Sequence, residues 1–274
     1  MPDLATLLPL VAMLLAIGAV AGVLAGLLGV GGGLVLVPAF YYAFAELGFE
    51  SPSLMTICLA TSLATIVFTS ARSVMAHHRK RAVDWAILRG WAPWIALGAA
   101  LGMLAAAALR SATLMSVFAG LCLLVGLYTT LGRSDWRLGA VMPTGLRRAA
   151  IGPVVGFLSV LLGIGGGSLG VPLMTLHGVP VHRAVATAAG FGLVIAVPSV
   201  AGFLVASVPP GARPPLTVGH VNLPAFAIVI AMTLLTAPLG VRLAHATDPK
   251  RLKRIFGVFL LVVGLNMLRK AWML

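Results

Sequence analysis

Long apolar runs alternate with short polar or basic breaks along the whole chain. At about 1.5 Å of rise per residue, a helix of about 20 apolar residues crosses a hydrocarbon core of about 30 Å, and the first run, residues 4–28, meets that length. A glycine cluster, Gly29-Val30-Gly31-Gly32-Gly33, then leads into an apolar piece at residues 34–45, too short to cross, which predicts a half-helix. After a polar turn over residues 46–53 comes a full-length run at 54–76 carrying Thr56, Thr61, Ser62, Thr65, Thr69 and Ser70, closed by His77-His78-Arg79-Lys80-Arg81. Runs at 84–109 and 112–131 follow, parted by a tight turn at Arg110. Beyond a basic linker at 132–148, with Arg133, Arg137, Arg147 and Arg148, the order returns. It gives a run at 149–162, the cluster Gly163-Ile164-Gly165-Gly166-Gly167, a short piece at 168–176, and runs at 184–207, 223–246 and 255–268.

This recurrence is an internal repeat. At an offset of 134, residues 22–38 and 156–172 agree at ten of seventeen positions, among them the glycines of both clusters and the pair Pro38/Pro172. An offset of 138 aligns Gly102 with Gly240, Phe118 with Phe256, Gly126 with Gly264 and Val83-Asp84 with Val221-Asn222; an offset of 126 aligns Ala60-Thr61 with Ala186-Thr187. The expected organisation is a first transmembrane repeat over residues 1–131, a basic cytoplasmic linker over 132–148 and a second repeat over 149–274.

Composition places these runs in a bilayer: 60% of residues are hydrophobic and 9% charged, against roughly half and a quarter in a soluble globule. The first run has no Lys or Arg before Arg72 and is too long for the apolar part of a secretory signal, so a retained membrane helix is expected. The net charge of +13 would suggest nucleic acid in a soluble protein; here the cations fall between apolar runs, which points to cytoplasmic loops and no nucleic-acid partner. With five apolar segments per half, an outside amino terminus puts 15 of the 19 Lys and Arg on one side, leaving Arg110, Arg213, Arg269 and Lys270 on the other. The expected fold is an all-α integral membrane protein of two inverted-topology repeats, about eight to ten membrane segments in all. In each repeat the first two segments form a broken or re-entrant pair around a Gly-rich loop, and both termini lie outside the cytoplasm. Cys58 and Cys122 sit inside apolar runs, where they read as packing residues, and no metal or cofactor pattern occurs.

Candidate chemistry centres on the clusters. Glycine lets the backbone turn sharply and lets a ligand approach its amides, and a helix start just beyond offers unpaired N–H groups and the positive end of its dipole. That combination binds anions. Brought in from opposite faces, the two starts would meet near the midplane. The expected substrate-binding set is Gly29, Gly31, Gly32, Gly33, Thr61, Ser62, Gly163, Gly165, Gly166, Gly167, Ser168 and Thr187, with Pro38 and Pro172 as hinge residues. The alternative is that the glycines only permit close helix packing, although that pattern calls for spaced glycines rather than three in a row. A dinucleotide fingerprint fails, since no strand precedes either cluster and no acid follows at the required distance.

All six carboxylates, Asp3, Glu46, Glu50, Asp84, Asp135 and Asp248, lie at or near loops, which argues against a cation site and an acidic proton relay. The histidines stand near span ends and read as solvated loop residues, with His177 the one singled out for a coupling proton. Protons are the coupling ion left by elimination. Arg72 and Arg242 read as snorkelling cations, with anion steering as their other role, and Arg213 would steer on the outside. No carboxylate pair, His-Glu-x-x-His spacing or strained serine elbow suggests an enzyme. The small residues on the fourth segments serve a homodimer contact or packing within the chain equally well.

The doubled Gly-rich turn running to a proline, the Ala60-Thr61-Ser62 span, Val83-Asp84-Trp85 after the basic loop, and Gly219-His220-Val221-Asn222 together resemble the TauE/SafE sulfite exporter family of bacterial and archaeal membrane proteins. The resemblance implies a prokaryotic plasma-membrane transporter of sulfite, thiosulfate or organosulfonates, most often an exporter. It implies roles for Gly29, Gly31, Gly32, Gly33, Pro38, Gly163, Gly165, Gly166, Gly167, Pro172, Thr61 and Ser62. Where the first half has Ala60-Thr61-Ser62 the second has Ala186-Thr187-Ala188, which predicts an asymmetric site. The alternatives are an uptake carrier for sulfur-containing or carboxylate anions and a non-transporting membrane assembly factor.

Overall fold

Each apolar run closes its own backbone hydrogen bonds, as a segment in hydrocarbon must, and the result is ten helices among the described residues. The structure, a computed structural model, describes residues 4–28, 32–49, 51–131, 136–208, 213–246 and 249–273. The helices are α1 Leu4–Leu28, α2 Gly33–Glu46, α3 Leu54–Arg79, α4 Trp85–Ala108, α5 Ser111–Leu131, α6 Gly145–Leu161, α7 Gly167–Leu176, α8 Val181–Val205, α9 Leu223–Ala246 and α10 Pro249–Ala271. Five are long and apolar enough to cross a membrane among the described residues: α3, α4, α5, α8 and the Leu223–Gly240 part of α9. The chain is an integral membrane protein. At 14 and 10 residues, α2 and α7 have half-length, as their runs predicted.

Three helices outrun their apolar stretches into flanking basic residues. α3 continues past its apolar run through His77, His78 and Arg79 of the expected basic loop, and cations in a last turn favour the negative end of the helix dipole. α6 begins at Gly145 and α10 at Pro249, several residues before the first residue of each apolar run. An element the sequence did not announce is a hairpin of β1 Thr217–Val218 and β2 Val221–Asn222, paired Thr217 to Asn222 and Val218 to Val221. Gly219 makes its turn with φ 54°, and a side chain there would run into the carbonyls of Phe203 and Leu204.

The core centres on α3, whose first thirteen residues are all buried, and on α2 beside it. α3 packs against α8 and α5 against α10. α1 packs on α9 while α6 packs on α4, so the first helix of each set of five lies on the fourth helix of the other. Spaced glycines make those approaches: a Cβ on Gly22 would come within 2.8 Å of the Thr233 Cα, and one on Gly156 within 2.7 Å of the Ala99 amide.

Candidate anion site

The two glycine clusters meet. After α6 the backbone turns through Gly163, φ 59°, with the Ile164 amide bonded back to the Ser159 carbonyl at 2.9 Å. The Gly163 carbonyl accepts the Ser62 hydroxyl of α3 at 2.8 Å. Gly33, the first residue of α2, lies against the same carbonyl, and a Cβ on it would stand 3.0 Å from the Ile164 Cα. Gly32 enters α2 at φ 70°. Gly29 and Gly31 lie outside the described residues.

Beyond Gly163 the amides of Gly165, Gly166, Gly167, Ser168 and Leu169 make no hydrogen bond among the described residues; the first bond of α7 runs from the Gly170 amide to the Gly166 carbonyl at 2.8 Å. Gly165, Gly166 and Ser168 are buried, and the Ser168 hydroxyl, on a residue 8% exposed, has no partner among the described residues. The amides of Gly32, Gly33 and Leu34 at the start of α2 are likewise unpaired there. Buried N–H groups are almost always satisfied, and a run of them at a helix start, with a hydroxyl beside them, is chemically complementary to a small anion. The surrounding wall comes from α3 and α8. Gly165 faces Ile66 and Ser70, and Gly166 faces Ala188, Phe191 and Gly192. Ser70 belonged to the hydroxyl row that the sequence made visible, whereas Ala188, Phe191 and Gly192 carried no polar or periodic signal.

The other hydroxyls of the expected set are engaged in holding the frame. Thr61 Oγ1 accepts the Asn222 amide at 3.0 Å, and Thr187 Oγ1 accepts the Asp84 amide at 2.9 Å. Both threonines are fully buried. Asp84 and Asn222 in turn cap the next helices, through Ala86 and Ile87 at 3.1 Å and through Ala225 at 3.0 Å. Ser62 commits its one proton to Gly163, and Ala188 at the matching position has none to give. Pro38 and Pro172 lie inside α2 and α7, where a missing N–H leaves the carbonyls of Leu34 and Ser168 without a ladder partner.

Two histidines depart from the expectation of solvated loop positions. His177 is 9% exposed and ends α7, its Nδ1 2.8 Å from the Leu173 carbonyl. The linker covers that end, with the Leu138 amide bonded to the Leu176 carbonyl at 2.8 Å. His220 is 1% exposed. Short loops folded back on helix ends, absent from any hydropathy pattern, bury both. Arg72, on α3, and Arg242, on α9, are both exposed, and neither is among the nearest neighbours of Gly33, Gly163, Gly165 or Gly166. A cavity of about 280 Å³ lined by Tyr41, Ser51, Pro52, Leu54, Arg110, Ser111 and Ala112 includes no glycine-loop residue.

The family profile described as "Sulfite exporter TauE/SafE" matches residues 14–267. A "Probable membrane transporter protein" of Haemophilus influenzae is 33% identical over 258 residues, 93% of this chain and 97% of the relative. "Probable membrane transporter protein MJ0441" of Methanocaldococcus jannaschii is 27% identical, with 94% and 96% covered. "Probable membrane transporter protein YunE" of Bacillus subtilis is 25% identical, with 93% and 96% covered. No solved structure matches.

Proposed function

The chain belongs to the TauE/SafE family of membrane transporters, and from that membership and the site we propose that it carries small oxyanions, of the class of sulfite, thiosulfate and organosulfonates. The anion sits at the start of α7, on the amides of Gly165, Gly166, Gly167 and Ser168 and on the Ser168 hydroxyl, with Gly32, Gly33 and the start of α2 opposite. The observation that carries this reading is the run of amides from Gly165 to Leu169 that find no partner among the described residues, three of them on buried residues, beside the unpartnered buried hydroxyl of Ser168. Backbone donors read charge and size, so a small tetrahedral or pyramidal anion suits them.

The carrier is two inverted repeats, residues 1–131 and 149–274, joined by the cytoplasmic linker 132–148, in the plasma membrane of a prokaryote with both termini outside. Supporting this are the positive-inside charge split and the exchange of partners between α1, α9, α6 and α4. Rocking of one repeat against the other about Pro38 and Pro172 alternates access, in the direction of export, with Arg72 and Arg242 drawing anions toward the cytoplasmic mouth.

Thermal shift of the purified protein in detergent across sulfite, thiosulfate, methanesulfonate, sulfate, lactate and chloride tests the site, since a ligand bound only by the folded state raises its stability. Gly165→Ala is the informative variant: its Cβ would stand 3.2 Å from Ile66 Cγ2, so the methyl fits with a small adjustment while adding bulk to the glycine loop that would hold the anion. Ser168→Ala removes one donor to a charged acceptor, worth about 1.5–3 kcal/mol, or roughly tenfold to a hundredfold in affinity. Both variants are expected to fold and to lose anion stabilisation, and liposome flux should fall with it. Undiminished binding and flux in both would remove the α7 site.

A further inference from the structure

His220 stands at the turn of the β1–β2 hairpin, 1% exposed, its amide bonded to the Phe203 carbonyl at 3.0 Å and its ring edge against the Phe203 ring at 5.9 Å. Its Nδ1 is buried and has no hydrogen-bond partner among the described residues. Two residues on, the Asn222 amide is held by Thr61, whose neighbour Ser62 bonds the Gly163 carbonyl. The imidazole thus rides on a hairpin fastened, through one stretch of α3, to the second glycine loop. We propose that His220 is the site of the proton that travels with the anion, an inference that rests on the anion-carrier reading above.

His177, the histidine singled out from sequence, is less suited, because its Nδ1 already meets the Leu173 carbonyl. The contacts that His220 makes are with the Phe203 ring and the Phe203 backbone. α8 brings Phe203, and its titratable residues His182 and Arg183 lie at its other end. α3 brings Thr61 with Cys58 one turn before it, and its cations begin at Arg72. α9 holds Arg242 and His245 at its far end, β1 holds no titratable group, and Arg213 lies seven positions before His220 in the loop. Burial lowers the affinity of the imidazole for a proton, opposed only by the Phe203 backbone, and no charged side chain contributes.

An imidazole so placed stays neutral until a negative charge arrives nearby. An anion on the α7 amides supplies that charge through a low-dielectric interior and favours the imidazolium. By linkage, a proton on His220 tightens the anion in equal measure. The step is a protonation alone: Nδ1 takes a proton from one side as the anion binds, and returns it to the other side as the anion leaves. A monovalent anion then crosses without net charge, and it leaves the cell where its own outward gradient exceeds the inward proton gradient.

Methanesulfonate, which does not titrate near neutrality, is the probe. In liposomes holding the full chain, an imposed pH gradient is expected to drive its accumulation, and His220→Gln to abolish that accumulation. In the unmodified protein, ¹³C-labelled histidine followed by NMR, with His220 assigned by the variant, should show its pKa rise by about one unit or more when methanesulfonate is added. Accumulation that persists in the variant, or a His220 pKa indifferent to the anion, overturns the proposal even where Gly165→Ala still abolishes binding. If the unmodified protein binds methanesulfonate yet moves it without regard to the pH gradient, this inference alone falls. If it neither binds nor moves any anion of the panel, the carrier reading falls and takes this one with it.

Discussion

Thr61 and Thr187 each catch the amide that opens a helix of the other set of five, yet the residues they hold differ. Asn222, held by Thr61, is fully buried, and its side-chain amide is committed to the Pro215 carbonyl at 2.9 Å and Thr217 Oγ1 at 3.0 Å. Asp84, held by Thr187, keeps 24% of its side chain exposed and lies 3.7 Å from the Arg183 guanidinium. The backbone bond is common to both places and the side-chain charge follows the water. A carboxylate at the buried latch would lack both solvent and a cation, which is costly. At the wetter latch a carboxylate caps α4 and pairs across to α8 at small expense. The fold therefore repeats its backbone connections and varies side chains to suit burial.

Exchanging the two residues puts that account at greatest risk. Asn222→Asp replaces two satisfied donors by a buried charge and is expected to destabilise by about 3 kcal/mol or more, read as a large drop in the thermal midpoint in detergent. A neutral effect would mean that the latch is hydrated. Next come the threonines themselves. Thr61→Val keeps the shape and orphans a buried amide, a cost of about 1–3 kcal/mol. Thr187→Val orphans the part-buried Asp84 amide, where water is nearer, and should fall at the low end, about 1 kcal/mol. Equal losses from the two variants would erase the distinction between a dry and a wet latch.

Acidity probes the dry side separately. Because burial lowers the proton affinity of His220, its neutral form favours the folded state above the imidazole's ordinary pKa of about 6.5, and that contribution is lost as pH falls below it. His220→Phe should therefore flatten the decline of the thermal midpoint between about pH 6.5 and pH 5 relative to the unmodified protein. An unchanged decline would place the acid-sensitive group elsewhere. Methanesulfonate, if it favours the imidazolium, should soften the same decline in the unmodified protein.

Much of this geometry follows from the chain's own repetition, and the part that does not has a physical reason. The truncated helices beyond each glycine cluster are legible because 14 and 10 residues cannot cross a bilayer. That Thr61 matches Thr187 and Asp84 matches Asn222 is also legible, from the offsets. That these residues bond one another crosswise is not, since the partners are 161 and 103 positions apart and no local pattern records it. Strands of two residues give no alternation, so the hairpin was invisible, and with it the burial of His220. A histidine in a Pro/Gly-rich stretch reads as solvated until Gly219 folds it onto Phe203. Ser168 was legible as a hydroxyl at a helix start; its lack of a partner required the packed surroundings.

The mildest exchange isolates charge from capping. Asn is as good a helix N-cap as Asp, so Asp84→Asn keeps the bonds to Ala86 and Ile87 and leaves the backbone bond to Thr187 untouched. What it removes is the pairing with Arg183, whose side chain is 46% exposed. Ion pairs this wet are worth about 0.2–1 kcal/mol, and the loss should lie in that range at low salt. At about 1 M salt, where the Debye length is near 3 Å, unmodified and variant proteins should unfold at the same midpoint. A difference that survives high salt would mean that the carboxylate contributes through a hydrogen bond the amide cannot replace, and the wet latch would then be as specifically built as the dry one.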